Sequence, residues 1–134
     1  MPSKRVLVVD DDASIRRLVA TVLKRESYDV DTANGGREAL SKIALIQYDV
    51  VVLDLMMPDV NGLDVLKALA LRHPKIKCVV LMSAASPFET AKSITANVFD
   101  AIAKPFDIQI LITAVAGCIE AACDPAAPPL PKAA

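Results

Sequence analysis

The chain has 134 residues, enough for one domain with a full core. Its formal charge is −1, from 15 basic and 16 acidic residues, so charge alone points to neither a nucleic-acid nor a membrane surface. The hydrophobic fraction is 54% but aromatics make up only 4%, and three cysteines without a CxxC pair suit a reduced protein better than a disulfide frame or a zinc site.

Arg5-Val6-Leu7-Val8-Val9 is an apolar run of strand length that ends at Asp10-Asp11-Asp12. It is far too short for a signal-peptide core, which with the absence of a membrane span predicts a soluble, cytoplasmic protein. Ile15, Leu18, Val19, Val22 and Leu23 follow at helical spacing, with Asp12 or Ser14 available as the cap. Arg16, Arg17, Lys24 and Arg25 fall off that stripe. Residues 28–32 alternate as a strand nearer the sheet edge. Asn34-Gly35-Gly36 turns the chain into a helix marked by Ala39, Leu40, Ile43, Ala44 and Ile46.

Val50-Val51-Val52-Leu53 reads as a central strand buried on both faces, with Asp54 where it emerges. After the Asn61-Gly62 turn, Leu63, Leu66, Leu69 and Ala70 mark a helix that closes before Pro74. Residues 78–82 form the next strand, ending at Ser83, and a weakly periodic helix is expected over 87–96. A short strand over 99–103 stops at Lys104-Pro105, and the last helix spans about 107–123. Residues 4–123 therefore read as one domain, and 124–134, rich in Pro and Ala, as a flexible tail or linker.

Five strands alternating with five helices predict an α/β fold: right-handed crossovers, an open parallel sheet and helices on both faces. Parallel strands share a carboxyl edge, so Asp10 and Asp11, Asp54, Ser83 and Lys104 converge on one crevice. Close carboxylates raise each other's pKa unless a cation intervenes. Hard oxygen ligands without His or Cys point to Mg²⁺, and Lys104 supplies a second positive charge. A carboxylate, a metal, a lysine and a hydroxyl make a phosphoryl site. Asp54 is its nucleophile, and Ser83 donates a hydrogen bond to the transferred group. Taken singly, each of these residues reads as a cap, a turn residue or a solvated charge; taken together, at four strand ends, they read as a site.

Val8-Val9-Asp10-Asp11-Asp12, Leu53-Asp54-Leu55-Met56-Met57-Pro58, Asn61-Gly62, Met82-Ser83-Ala84 and Lys104-Pro105-Phe106 together resemble a response-regulator receiver domain of the chemotaxis-regulator type, over about residues 4 to 122. The resemblance implies a flavodoxin-like sheet in the order 2-1-3-4-5 within a three-layer sandwich. It implies a signalling protein rather than an enzyme, in which Asp54 accepts a phosphoryl group from a sensor histidine kinase or a histidine phosphotransfer protein. Asp11, Asp54 and the Met56 backbone carbonyl would hold Mg²⁺, Asp10 would act mainly through a bound water, and Ser83 and Lys104 would contact the phosphoryl group. The Lys104-Pro105 peptide is expected to be cis.

Three departures from that family bear on function. Ala101 stands where relatives carry the Tyr or Phe that moves on phosphorylation; Phe99, on the same strand face by simple alternation, is the nearest ring. Met56 and Ala85 replace polar groups near the attacking water, which predicts slow dephosphorylation. On the last helix, Ile108, Leu111, Ile112, Val115 and Ile119 read as the core stripe. Ile110, Ala114, Gly117 and Ala121 read as an opposite face that is either a plain Ala-rich surface or a dock for a second copy or an output partner. No direct nucleic-acid or membrane contact is expected. Two other functions compete: a receiver-shaped interaction module without phosphate switching, and a Mg²⁺-dependent small-molecule phosphatase. Phosphatases with an aspartyl nucleophile commonly have a second acid two residues on, where this chain has Met56.

Overall fold

A computed structural model describes residues 3–57, 62–73, 75–82 and 97–123. Ser83, Ala85, the helix expected over 87–96 and the tail over 124–134 lie outside the described residues. Five strands are present, β1 (Arg5–Val9), β2 (Asp29–Ala33), β3 (Val50–Asp54), β4 (Lys77–Met82) and β5 (Val98–Ala103). They form one parallel sheet in the order β2-β1-β3-β4-β5, as the sequence predicts. Among the described residues four helices pack on it: α1 (Ala13–Arg25), α2 (Gly36–Leu45), α3 (Gly62–Arg72) and α4 (Ile108–Cys123).

The sheet divides two apolar cores. Leu7, Val9, Val51, Leu53, Cys78 and Val80 face α2 and α3, meeting Ala39, Ile43, Val65, Leu66 and Leu69. Val6, Val8, Val50, Val52, Val79 and Leu81 face α1 and α4, meeting Val19, Leu23, Leu111, Val115 and Cys118. The continuous β-branched runs in β1 and β3 are buried on both sides, which explains why those strands do not alternate with polar residues. Cys78 and Cys118 are free and buried, and burial pushes the Cys118 thiol up to about 12, so both behave as small apolar core residues.

Two expectations are corrected. The first concerns β5. Cys78 lies opposite Val98 but Val79 opposite Asp100, so Phe99 is the extra residue of a β-bulge. The inserted residue reverses the alternation: Val98 and Ala101 face the α2 and α3 core, while Phe99 and Ile102 face the α1 and α4 core. Phe99 and Ala101 do not share a face.

The second concerns α4. Ala114 is buried in the α1 and α4 core beside Leu111, Val115 and Cys118, so it does not belong to an outward face. Gly117 lies under the Phe99 ring: a Cβ built there would sit 3.5 Å from Phe99 Cε2. Ile112, assigned to the core stripe, is half-buried, and Ile110 is an exposed apolar residue of the helix. The rotation follows from Cys118 and Ala114 joining the stripe, which shifts its centre away from Ile108 and Ile112. The four-residue docking face thus reduces to Ile110 with a half-buried Ala121.

Candidate functional site

The triple aspartate after β1 separates into three environments. Asp10 is buried, and its Oδ1 accepts the Asp12 N–H at 2.9 Å in a tight turn. Asp12 caps α1, its Oδ1 accepting from the Ser14 N–H at 2.9 Å and the Ile15 N–H at 3.2 Å. Asp11 is exposed, and among the described residues its carboxylate has no hydrogen-bond or ion-pair partner. Hence Asp12 is occupied as a cap and only Asp10 and Asp11 remain for the crevice.

Asp54 closes β3, and its Oδ1 accepts the Met56 N–H at 3.0 Å. The next peptide is fixed by the Leu55 N–H donating to the Leu81 carbonyl, at 3.1 Å, and by the Gly62 N–H donating to the Leu55 carbonyl, at 3.3 Å. Gly62 opens α3 against this turn so closely that a Cβ would overlap Leu55 Cα and lie 2.5 Å from the Asp54 carbonyl oxygen. Only glycine allows that approach.

Lys104 follows β5 and joins the two buried acids. Its Nζ is 3.2 Å from Asp10 Oδ2 and 3.2 Å from Asp54 Oδ2. The Lys104-Pro105 peptide is cis, as expected. Burial, and then the charge of Asp10, push the Asp54 carboxyl above its usual range against the pull of the Met56 N–H and Lys104. Burial alone would lower the Lys104 ammonium, but the two carboxylates outweigh it and hold its pKa up.

Asp10, Asp11 and Asp54 each bring a carboxylate oxygen within 4.8 Å of the others. Among the described residues three carboxylates therefore face one ammonium group, an excess of negative charge at the crevice. All-oxygen donors at this spacing, with one exposed acid free of other bonds, fit a divalent hard cation such as Mg²⁺. The structure thus brings together Asp10, Asp11, Asp54 and Lys104 from the sequence-derived set, and of Met56 it places the N–H, on Asp54; Ser83 is outside the described residues.

One residue was not read from the sequence. Arg16 sits half-buried in the first turn of α1, and its Nη1 donates to the Asp10 carbonyl at 2.7 Å. Nothing in its spacing distinguishes it from the solvated Arg17, since both fall off the apolar stripe.

A profile of the response regulator receiver domain matches residues 6–116. The regulatory protein AtoC of Escherichia coli (strain K12) is 37% identical over 108 residues, which cover 80% of this chain and 23% of AtoC. The chain spans no more than half the length of the curated relatives it matches first. Among solved structures, a CheY-like response regulator receiver domain protein from Methanospirillum hungatei JF-1 superimposes with a TM-score of 0.83 at 29% identity, covering 92% of this chain and 99% of that one. The response regulator TrrA from Thermotoga maritima, solved in complex with Mg(2+)-BeF, gives a TM-score of 0.77 at 32% identity, covering 86% and 98%.

Proposed function

Because this chain belongs to the response regulator receiver family, we propose that it is a phospho-accepting receiver of a two-component phosphorelay, with Asp54 as the acceptor. The observation that carries this reading is Asp54 at the end of β3, with Lys104 at 3.2 Å and with Asp10 and Asp11 completing a three-carboxylate cluster. In the transfer, an Asp54 carboxylate oxygen attacks phosphorus. The bond from phosphorus to the donor imidazole nitrogen breaks, the electron pair stays on that nitrogen, and because the other ring nitrogen carries a proton the imidazole departs as the neutral side chain of a partner histidine kinase or phosphotransfer protein.

Asp11, Asp54 and the Met56 carbonyl would hold Mg²⁺, with Asp10 contributing through water. When bound, the ion supplies positive charge to the phosphoryl oxygens. Lys104 is already held between Asp10 and Asp54, so the same ammonium would meet the phosphoryl oxygens with little rearrangement. Ser83 would donate the remaining hydrogen bond. Burial keeps bulk water off Asp54, favouring transfer to the carboxylate over loss to solvent. Phosphorylation would then change the surface offered to an output partner. No helix among the described residues is long and apolar enough to cross a membrane, and the proposed place of action is the cytoplasm.

Incubation with acetyl phosphate and Mg²⁺, followed by intact-mass measurement, tests the proposal. A single phosphoryl adduct in the wild type, lost in Asp54→Asn, is the expected result. A wild type without adduct overturns it and favours an interaction module without phosphate switching. That second reading draws on Ala101, which leaves the position without a ring to move. Multiple turnover on small phosphoesters would indicate a phosphatase instead.

A further inference from the structure

Asp10 is held on every side. Its N–H donates to the Ala33 carbonyl at 3.2 Å, Oδ1 takes the Asp12 N–H and Oδ2 faces Lys104. Asp11, one residue on, has no such support: its carboxylate is exposed and without a partner among the described residues. Its place is therefore set by the backbone alone. The peptide that carries it begins at the Asp10 carbonyl, and that carbonyl receives the Arg16 guanidinium at 2.7 Å. A bond from a charged donor is about twice as strong as a neutral one, and this one is partly shielded from water. It reaches back from the first turn of α1 and closes a ring of backbone around Asp11 and Asp12.

We infer that Arg16 is a positioning residue for the divalent-cation site, which fixes the Asp10-Asp11 peptide so that the free Asp11 carboxylate stays aimed at Asp54. This rests on the Mg²⁺ reading of the three-carboxylate cluster. A guanidinium that acted through its charge alone would repel the ion, and removing it would tighten binding. A guanidinium that acts by holding the loop has the opposite sign: without it Asp11 spends time out of place and affinity falls.

The test is Mg²⁺ titration of the full chain, followed by backbone amide NMR shifts, in wild type, Arg16→Met, Arg16→Lys and the control Arg17→Met. The same substitution at Arg16 is repeated in an Asp11→Asn background. Arg16→Met is expected to raise the Mg²⁺ dissociation constant about tenfold, the lower end for partners that orient metal ligands. Arg16→Lys, which keeps the charge but loses the planar fork, is expected to bind more weakly than wild type, and Arg17→Met to bind like it. In Asp11→Asn the Arg16 effect should vanish. Unchanged or tighter binding in Arg16→Met overturns the inference, and so does an equal loss in both backgrounds, which would show that Arg16 does not act through Asp11. A wild type that binds no Mg²⁺ overturns the underlying site as well, a result distinct from the others.

Discussion

Phe99 and Ala101 are two residues apart on β5 yet face opposite layers of the sandwich, because the bulge at Phe99 reverses the alternation between them. Phe99 therefore reports to α4, where it covers Gly117, and not to the position a switch aromatic would take. A Cβ at Gly117 would meet Phe99 Cε2 and Cζ at 3.5 and 3.6 Å, ordinary contact distances. Gly117→Ala is thus expected to stabilise the protein by about 0.5–1 kcal/mol through helix propensity, measured by urea denaturation. Phe99→Ala, which empties the half-buried site, should cost roughly 2 kcal/mol. A destabilised Gly117→Ala would mean that the ring needs more room than the geometry indicates.

Gly62 presents the opposite case. A methyl group there collides with backbone, not with a yielding side chain, and the backbone is that of Asp54 and Leu55. Gly62→Ala should cost about 3 kcal/mol, the upper range for overpacking. It should also lower the yield of phosphoryl adduct on Asp54. Full stability with full adduct formation would show that the turn after β3 is looser than described.

Lys104 is the cation shared by two buried acids. In buffer containing a chelator, Lys104→Met should lose about 3 kcal/mol, because Asp10 and Asp54 are left buried without a counter-charge. Added Mg²⁺ should then raise the melting temperature of Lys104→Met more than that of the wild type. Equal responses in a calorimetric comparison would indicate that the carboxylates do not share the ion.

Tyr48 is buried, with its hydroxyl donating to Asp31 Oδ2 at 2.7 Å, and burial followed by that bond raises its pKa above the ordinary 10.0. Between the unfolded and the folded pKa the folded state holds the proton more tightly. The stabilising contribution is therefore complete below pH 10 and is lost as pH rises through the folded value. Tyr48→Phe should be less stable than wild type by about 1 kcal/mol at neutral pH. The gap should narrow in urea titrations above pH 10. A constant gap would mean that Tyr48 does not titrate with unfolding.

Met56 is 72% exposed beside Asp54 and has no polar group to orient water. The phosphorylated protein is accordingly expected to decay slowly in Mg²⁺ buffer, and Met56→Asn to shorten its life. A wild-type lifetime of seconds, read by intact mass, would contradict this.

Strand identity was legible because β1, β3 and β4 are apolar runs of strand length, each followed by a residue with chemistry; strand order came from the family resemblance of the motifs at those ends. Asp10, Asp54 and Lys104 could be assembled from strand ends alone. Three features were not legible. The bulge leaves no mark in a strand of mixed residues, Val98-Phe99-Asp100-Ala101-Ile102-Ala103, so simple alternation put Phe99 on the wrong face. On α4 almost every residue is apolar or small, so periodicity could not choose between Ala114 and Ile112 for the core. Asn97 is buried, its Nδ2 donating to the Ile76 carbonyl at 2.6 Å and the His73 carbonyl at 3.2 Å. Such long-range backbone clamps depend on tertiary placement that no local pattern encodes.

The bulge also bears on what happens at the border of the sheet. With the order β2-β1-β3-β4-β5, β5 is an outermost strand of the sheet, a position from which a strand can template a neighbouring chain. An extra residue at Phe99 interrupts the even spacing of its amide and carbonyl groups and increases the local twist. A second molecule arriving at this rim meets a ladder that is regular only from Asp100 to Ala103. The shortened regular stretch disfavours the edge-to-edge stacking that begins aggregation.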